Sequence, residues 1–173
     1  QRGAKGKERY LPDADPKKTV LGDVQWKWLE QELKKPADLR LVVSSIQIVA
    51  EGHGWERFGN FPLEQQRFYD LVRSTAAKGV VVVSGDRHYS AINRTAPGKT
   101  PYPIYDFTAS AINMPWGAGD EELLPTKITK AVTGENYGLV KIDWAGRTVT
   151  LESRDIADKP AFTQVVPFAE IGL

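Results

Sequence analysis

The stretch GVVVVSGDRHYSAI, residues 79–92, decides the fold class of this chain. Its four consecutive valines form an apolar run with the length and β-branched composition of a fully buried strand. Residues with acid, base and metal-binding chemistry follow the run directly: Asp86, Arg87 and His88. Ligands of open α/β sheets bind beyond the carboxyl ends of the strands, so the stretch predicts a buried parallel strand that ends in a functional site.

The composition is that of one soluble globular domain. The chain has 173 residues, 41% of them apolar and 26% charged, which is enough to bury a core. The net charge of +1, from 23 basic and 22 acidic residues, argues against nucleic acid as the main partner, since phosphate binding requires a clustered basic excess. There is no cysteine, which excludes disulfides and cysteine zinc sites. No segment has the length of a membrane span.

The elements before the valine strand predict a βαβ unit. LRLVVSSIQIVA (39–50) is a predicted strand, apolar on both faces and therefore central in its sheet. LEQQRFYDLVRSTAA (63–77) is a predicted helix that leads back to the valine strand. A strand, a helix and a second strand in this order favour a parallel pair. The loop EGHGWERFGN (51–60) and the SGDRH segment then lie at the same edge of the sheet.

A first helix precedes this unit, and antiparallel strands follow it. DVQWKWLEQELKK is amphipathic, with Asp23 as the predicted N-cap, and Pro36 ends it. The residues expected on the buried sides of the two helices are Val24, Trp28, Leu29 and Leu33 in the first, and Leu63, Phe68, Leu71 and Val72 in the second. The last third contains predicted strands at 102–110, 137–144, 148–155 and 161–168, with a hairpin turn at DWAGRT. The fold class is therefore α/β, changing into an antiparallel β region.

Asp86 and His88 are two residues apart, so an extended chain points both side chains the same way. A carboxylate and an imidazole on one side can bind one divalent metal ion, or provide one ligand each to a metal pair. Arg87 between them suits phosphate oxygens, because its planar guanidinium binds them with two hydrogen bonds. The same triplet is also compatible with a helix cap and solvated neighbours. Spacing alone leaves both interpretations open.

Several segments together resemble the PhoD-like (alkaline phosphatase D) metallophosphoesterases of the calcineurin-like superfamily. SGDRHYSAI is similar to the last metal-ligand motif of that family. The other similar segments follow in the family's order, over roughly residues 19–155: TVLGDVQWKWLEQEL, LVVSSIQI, WERFGNFPLEQQRFYDLV, YDFTASAIN and NYGLVKIDW with TVTLESRD. Phe58 stands where tryptophan is usual in the third of these. A single GDxH match is weak evidence, whereas the ordered set is specific.

The resemblance implies a metallophosphoesterase-type αββα sandwich of two mixed sheets. It implies hydrolysis of phosphate monoesters or diesters by water activated at two divalent or trivalent metal ions (Fe, Ca, Zn, Mn or Mg). Asp86 and His88 would be metal ligands, with His88 also the catalytic residue. Arg87 and Asn60 would bind the substrate, a small phosphate ester. Family members of this type are exported, which implies a periplasmic or secreted protein.

The superfamily's first motifs, which supply aspartates, an asparagine and a histidine for the metals, have no counterpart here and would lie upstream of Gln1. We therefore expect residues 1–22 to be a loop that continues from a missing upstream segment, and residues 23–173 to be the C-terminal half of the domain. The N-terminal half, on the same or a second chain, is the expected partner. Where other superfamily members carry a metal-binding histidine, this chain has Ser44, Ser45 and Gln47.

Other polar residues have structural alternatives. His53 is interpreted as a solvated loop residue, with a ligand or proton donor as the alternative. Glu56 and Asn60 match family positions, but they can also hold the loop through bonds to the backbone. Gln47 either touches the site or bonds within the core. The tryptophans are interpreted as packing residues, because no basic residues interleave them.

The sequence leaves two functions other than hydrolysis open. The first is a non-catalytic binding module that has lost the metal site because its other half is absent. The second is a nucleotide-binding α/β domain, which is disfavoured because no glycine-rich phosphate loop opens a helix after a strand.

Overall fold

The computed structural model describes residues 10–116 and 124–173. The helices and strands are α1 (Gly22–Lys34), β1 (Arg40–Ser44), α2 (Pro62–Ser74), β2 (Val80–Ser84), β3 (Ser90–Arg94), β4 (Tyr105–Ala109), β5 (Asn136–Asp143), β6 (Thr148–Asp155) and β7 (Pro160–Pro167). Short 3-10 helices lie at Phe58–Asn60 and Phe168–Ile171. Of the predicted N-terminal loop, residues 1–9 lie outside the described range, and residues 10–21 form neither helix nor strand.

The first sheet has the strand order β1-β2-β4-β3. β1, β2 and β4 are parallel to one another, and β3 is antiparallel to β4. The predicted βαβ unit is present, since α2 connects the parallel strands β1 and β2. β3 is an element that the sequence analysis did not identify. It contains the end of the SGDRHYSAI segment, so the chain turns back into the sheet directly after the polar triplet.

The second sheet is the antiparallel series β5-β6-β7, and its strands match the predicted ones to within one residue. It packs against the first sheet, and Gly138 of β5 lies at a close contact between them. A Cβ atom at Gly138 would lie 2.8 Å from the Cβ of Ala109 and 2.9 Å from the ring of Phe107. Only glycine leaves room for β4 at this crossing.

The core consists of two clusters, one on each face of the first sheet. Residues of α1 and α2, including Leu29, Phe68 and Val72, pack with Val80 and Val82 on one face. On the other face, Val81 packs with residues of the second sheet such as Leu151. The alternating valines of β2 thus contribute to both clusters, which explains their continuous apolar run. The layers are helix, mixed sheet and antiparallel sheet, which confirms the predicted α/β phosphoesterase-type fold class.

The first predicted strand is shorter than expected and differently placed. It ends at Ser44, and among the described residues β1 pairs with β2 alone. Among the described strands it therefore lies at the edge of the sheet, whereas a central position was expected. The segment 45–50 leaves the sheet because its amides have another acceptor: the N–H groups of Ile48 and Val49 donate to the carboxylate of Asp106, at 2.7 and 2.8 Å.

The helix faces are partly different from those predicted. In α1 the buried residues are Trp26, Leu29 and Leu33, whereas Val24 is 84% exposed and Trp28 is 58% exposed. The helix begins at Gly22 without a side-chain cap, so Asp23 lies inside the first turn and is not the N-cap.

In α2, Phe68 and Val72 are buried as predicted, Leu71 is half-buried, and Leu63 is exposed. Within the described ranges, no helix is both long and apolar enough to cross a membrane.

Candidate functional site

Three loops meet at the carboxyl ends of the parallel strands. They follow β1, β2 and β4, and the parallel register of these strands places all three at one edge. The guanidinium of Arg87 lies over the ring of Trp55, 5.8 Å from its centroid, which joins the first loop to the second. The backbone amide of His88 donates to the Ser110 hydroxyl at 3.1 Å, which joins the second to the third. The meeting of the first two loops confirms the prediction, whereas the third loop was not part of it.

The ring of His88 is held in one orientation. Its Nδ1 lies 2.6 Å from the carbonyl oxygen of Met114, and the amide of Trp116 donates to the His88 carbonyl at 2.8 Å. Because a carbonyl can only accept, Nδ1 carries the proton of this bond. In the tautomer with this proton, Nε2 is the ring nitrogen that can bind a metal. Metal-binding histidines are held in this way by a backbone carbonyl on the other ring nitrogen.

Asp86 and His88 adopt backbone conformations that are unusual for these residues. Their φ angles are 72° and 54°, in the left-handed region. The expectation of an extended segment is therefore wrong, because the chain bends at both residues. Left-handed non-glycine residues cost about 1–3 kcal/mol each and cluster at functional sites. Burial, followed by the charge of Glu56, raises the pKa of the Asp86 carboxyl, and Arg87 and His88 act in the opposite direction.

Arg87 is fixed between two aromatic rings. It is only 6% exposed. Its guanidinium lies over Tyr89 as well as Trp55, 5.2 Å from the Tyr89 centroid, and Nε donates to the Tyr89 hydroxyl at 3.3 Å. Such stacking desolvates the cation and strengthens its interaction with the rings. The side chain is thereby held beside Asp86 and His88 in a defined orientation.

A buried polar network supports the loops from below, with Asp106 at its centre. Asp106 is completely buried, and the Ser84 hydroxyl donates to its carboxylate at 2.6 Å. Ser84 also bonds Thr108 at 2.8 Å, and Thr108 accepts from the Gln47 amide at 2.8 Å. Burial raises the pKa of Asp106, and the hydrogen bonds from Ser84, Val49 and Ile48 oppose this. Asp106 was not among the predicted site residues, although a carboxylate inside the apolar run IYDF indicates a buried polar role.

His53 belongs to this network and is 4% exposed, so the solvated interpretation is wrong. Because the amide nitrogen of Gln47 is engaged with Thr108, its oxygen accepts from His53 Nε2 at 2.9 Å. His53 Nδ1 accepts the Trp55 amide at 3.1 Å. Both ring nitrogens are therefore used, and the ring is neutral. Burial, with the charges of Arg87 and Arg57, lowers its pKa to about 2.

Asn60 is the last residue of the short 3-10 helix Phe58–Asn60. It is buried, its Oδ1 has no hydrogen-bond partner, and it lines a pocket of about 290 Å³ with Tyr10 and Glu56. Over residues 10–116 and 124–173, no group of three or more histidine, aspartate or glutamate side chains could hold a metal ion. One carboxylate and one imidazole, such as those of Asp86 and His88, would fill only part of the coordination shell of a metal ion.

The family model of the PhoD-like phosphatases matches residues 2–152. The chain belongs to the PhoD-like phosphatase family. A solved structure described as that of PhoD aligns with 92% of the chain, with a TM-score of 0.69 and 16% sequence identity. The alignment covers 35% of the PhoD chain, so this chain spans about a third of the length of that structure. A search of curated proteins finds no match.

Two of the segments that resemble the family are bonded to each other. The Trp26 indole N–H donates to the carboxylate of Glu64 at 2.9 Å, and the hydroxyl of Thr19 and the amide of Val20 donate to the same oxygen at 2.6 and 2.8 Å. Burial alone would raise the pKa of Glu64, but these hydrogen bonds outweigh it and hold the pKa below its usual value. Trp26 and Glu64 therefore join α1 to α2 at a position outside the candidate site.

Proposed function

We propose that this chain carries part of the active site of a metal-dependent phosphoesterase that hydrolyses phosphate monoesters or diesters. The observation that carries the proposal is the arrangement at His88, whose Nδ1–H donates to the Met114 carbonyl so that Nε2 is available to a metal. The Asp86 carboxylate neighbours it at the same sheet edge. Membership of the PhoD-like phosphatases supports the choice of reaction.

In this proposal, Asp86 and His88 hold metal ions, and His88 is also the catalytic residue. When bound, two such ions would polarise the phosphoryl oxygens and lower the pKa of a water molecule. Arg87, stacked between Trp55 and Tyr89, would orient the phosphate through its planar donors. We further propose Asn60 as a substrate contact, supported by its buried Oδ1 without a partner.

The remaining ligands would come from the N-terminal half of the domain, on the same polypeptide or a second one. The chain spans 35% of the solved PhoD structure, which supports this division. Family membership also supports a periplasmic or secreted location.

Hydrolysis of p-nitrophenyl phosphate and bis(p-nitrophenyl) phosphate by the complete natural protein tests the proposal. Chelation followed by return of single metals identifies the activating ion. Because removal of second-shell partners alone costs 10–100-fold, we expect Asp86→Asn and His88→Gln to lower kcat/KM by at least about 100-fold. The control is Asp38→Asn, which replaces an exposed carboxylate just before the amino end of β1. Wild-type activity in both site variants would refute the proposal.

One observation favours a non-catalytic binding module as the second candidate. The described residues contain no cluster of three metal-binding side chains. A complete protein that folds, binds less than about 0.1 metal ion per chain under metal-replete conditions and hydrolyses neither ester supports this candidate.

A further inference from the structure

β1 has one open edge. The amide of Arg40 donates to the carbonyl of Gly79 on the β2 side. Because backbone groups alternate in direction along a parallel strand, Val42 and Ser44 also face β2. The N–H and C=O groups of Leu41 and Val43 therefore point away from the sheet. Within the described residues no strand pairs with that side, and an unpaired edge of this kind is a template for another strand.

The side chains of this edge are apolar and uncovered. Leu41 is 46% exposed and Val43 is 81% exposed. The register pairs Leu41 with Val81 and Val43 with Val83, so these side chains lie on the sheet face of Val81. Val81 is completely buried against the second sheet. The inner face of the sandwich thus continues onto β1, where the three strands of the second sheet no longer cover it.

A groove lies along the same edge, between α1 and β1. Its volume is about 790 Å³. Leu29, Leu33 and Phe58 contribute to its walls, and Trp28 lies at its side with more than half of its surface exposed. The groove borders β1 along its whole length, from Arg40 to Ser44. It is therefore placed to hold the side chains that an added strand would direct towards the helices.

We propose that the open edge of β1, the side chains of Leu41 and Val43, and the α1–β1 groove form a docking surface for one β-strand of the remaining part of the phosphoesterase domain. This inference rests on the proposed function and names the surface that joins the two parts. The occupant is inferred from size: the alignment covers 92% of this chain but only 35% of the PhoD structure, so most of such a fold lies outside this chain. Side chains on an inner sheet face require cover from the same domain.

The docked strand runs parallel to β1. The strands β1, β2 and β4 are already parallel, and their carboxyl ends gather the loops that contain Asp86 and His88. A parallel neighbour delivers its own carboxyl end to this edge. The docking surface therefore places additional ligands beside the two that this chain provides.

Hydrogen exchange of individual amides, measured by NMR, tests the docking surface. It is measured on the 173-residue chain alone and on the same residues within the complete natural protein. In the chain alone, we expect Val42 and Ser44 to be protected and Leu41 and Val43 to exchange rapidly. In the complete protein, we expect protection of Leu41 and Val43 to rise by on the order of 100-fold or more, because exchange then requires opening of a paired strand.

A pair of variants sharpens the test. Val43→Lys puts a charge on the inner sheet face, which the docked state cannot bury without a partner. We expect it to restore rapid exchange at Leu41 in the complete protein, while the urea midpoint of the chain alone stays unchanged because Val43 is exposed there. Val24→Lys, at an equally exposed valine of α1, is expected to change neither measurement.

Three results would overturn the proposal. Rapid exchange at Leu41 and Val43 in both forms shows that nothing pairs with the edge. Protection of both amides in the monomeric chain shows that the edge is already occupied. Protection that disappears on dilution of the chain alone identifies a second copy as the occupant. Amide exchange does not depend on metal or catalysis. If the complete protein is inactive but Leu41 and Val43 are protected, the proposed function fails while the docking surface stands.

Discussion

Replacement of Asp106 with alanine is the most informative perturbation of the structure that supports the site. The carboxylate accepts three short hydrogen bonds, from the Ser84 hydroxyl and the amides of Ile48 and Val49, at 2.6, 2.7 and 2.8 Å. All three donors are buried, and water cannot replace the acceptor unless it enters the space that the side chain leaves. The segment after β1 would then lose the interaction that turns it away from the sheet.

The magnitude follows from these three bonds. A hydrogen bond to a charged group contributes about 1.5–3 kcal/mol, so three sum to about 5–9 kcal/mol. The substitution also removes the cost of burying a carboxylate, which is several kcal/mol. We therefore expect a net loss of about 3–5 kcal/mol, which is a large fraction of the 5–15 kcal/mol typical of a domain. Asp106→Asn keeps an oxygen for the two amides, and its NH₂ group can donate to Ser84. We expect it to cost about 1–2 kcal/mol.

Urea unfolding followed by tryptophan fluorescence measures both values, with Asp38→Ala as the exposed control, expected to stay within about 0.5 kcal/mol of wild type. The m-value should not change, since the unfolded surface is the same. A loss below about 1 kcal/mol for Asp106→Ala contradicts the reasoning. An equal loss of unfolding free energy in the alanine and asparagine variants also contradicts the reasoning. The charge of Asp106, and not its hydrogen-bond acceptors, would then determine the stability.

Three further predictions concern stability. Burial lowers the pKa of His53 from 6.5 to about 2. Between these two pH values the unfolded chain binds one proton more than the folded chain. The contribution of His53 to the free energy of unfolding is therefore fully present above pH 6.5 and falls by up to about 1.4 kcal/mol per pH unit below it, which amounts to about 2 kcal/mol at pH 5. His53→Gln should flatten the dependence of the urea midpoint on pH over that range, and an unchanged slope contradicts this account. Gly138→Ala places a methyl group 2.8 Å from the Cβ of Ala109. We expect this overpacking to destabilise the fold by about 1–3 kcal/mol and to lower the thermal midpoint. An unchanged midpoint would mean that the two sheets can move apart at no cost. Trp26→Phe removes the indole donor to Glu64 and should cost about 2–4 kcal/mol in urea unfolding, whereas a loss under 1 kcal/mol makes this bond incidental.

The sequence predicted those features that depend on local pattern. The valine run of β2 is apolar on every residue because its two faces contribute to different core clusters, and this is visible in the sequence. The βαβ order and the β5–β6 hairpin likewise depend on neighbouring residues. The meeting of the loops after β1 and β2 at one edge follows from their parallel pairing alone.

Features that depend on distant residues could not be predicted in the same way. The segment 45–50 has the composition of a strand, but the carboxylate of Asp106, more than fifty residues away, accepts its amides. β1 appeared central because it is apolar on both faces, whereas among the described strands it lies at an edge. We relate its composition to the surface that we propose for docking, since no other described strand pairs with its outer side.

The candidate site shows the same division. The chemistry of Asp86 and His88 could be identified from their residue types, but their left-handed backbone could not, since it results from the turn that returns the chain into β3. The neutral state of His53 depends on Gln47 and Thr108, which belong to different strands and loops. A motif thus identifies the reactive side chains, and tertiary contacts determine their orientation and protonation.

The metal content of the complete natural protein tests the central claim most directly. Inductively coupled plasma mass spectrometry, after dialysis against metal-free buffer, gives the number of ions per chain for the wild type, the double variant Asp86→Ala/His88→Ala and the exposed control Asp38→Ala. We predict that the double variant loses at least one ion per chain while its circular dichroism spectrum and its Leu41 exchange stay unchanged, and that the control keeps the wild-type count. A double variant that retains every metal ion contradicts the assignment of Asp86 and His88 as ligands.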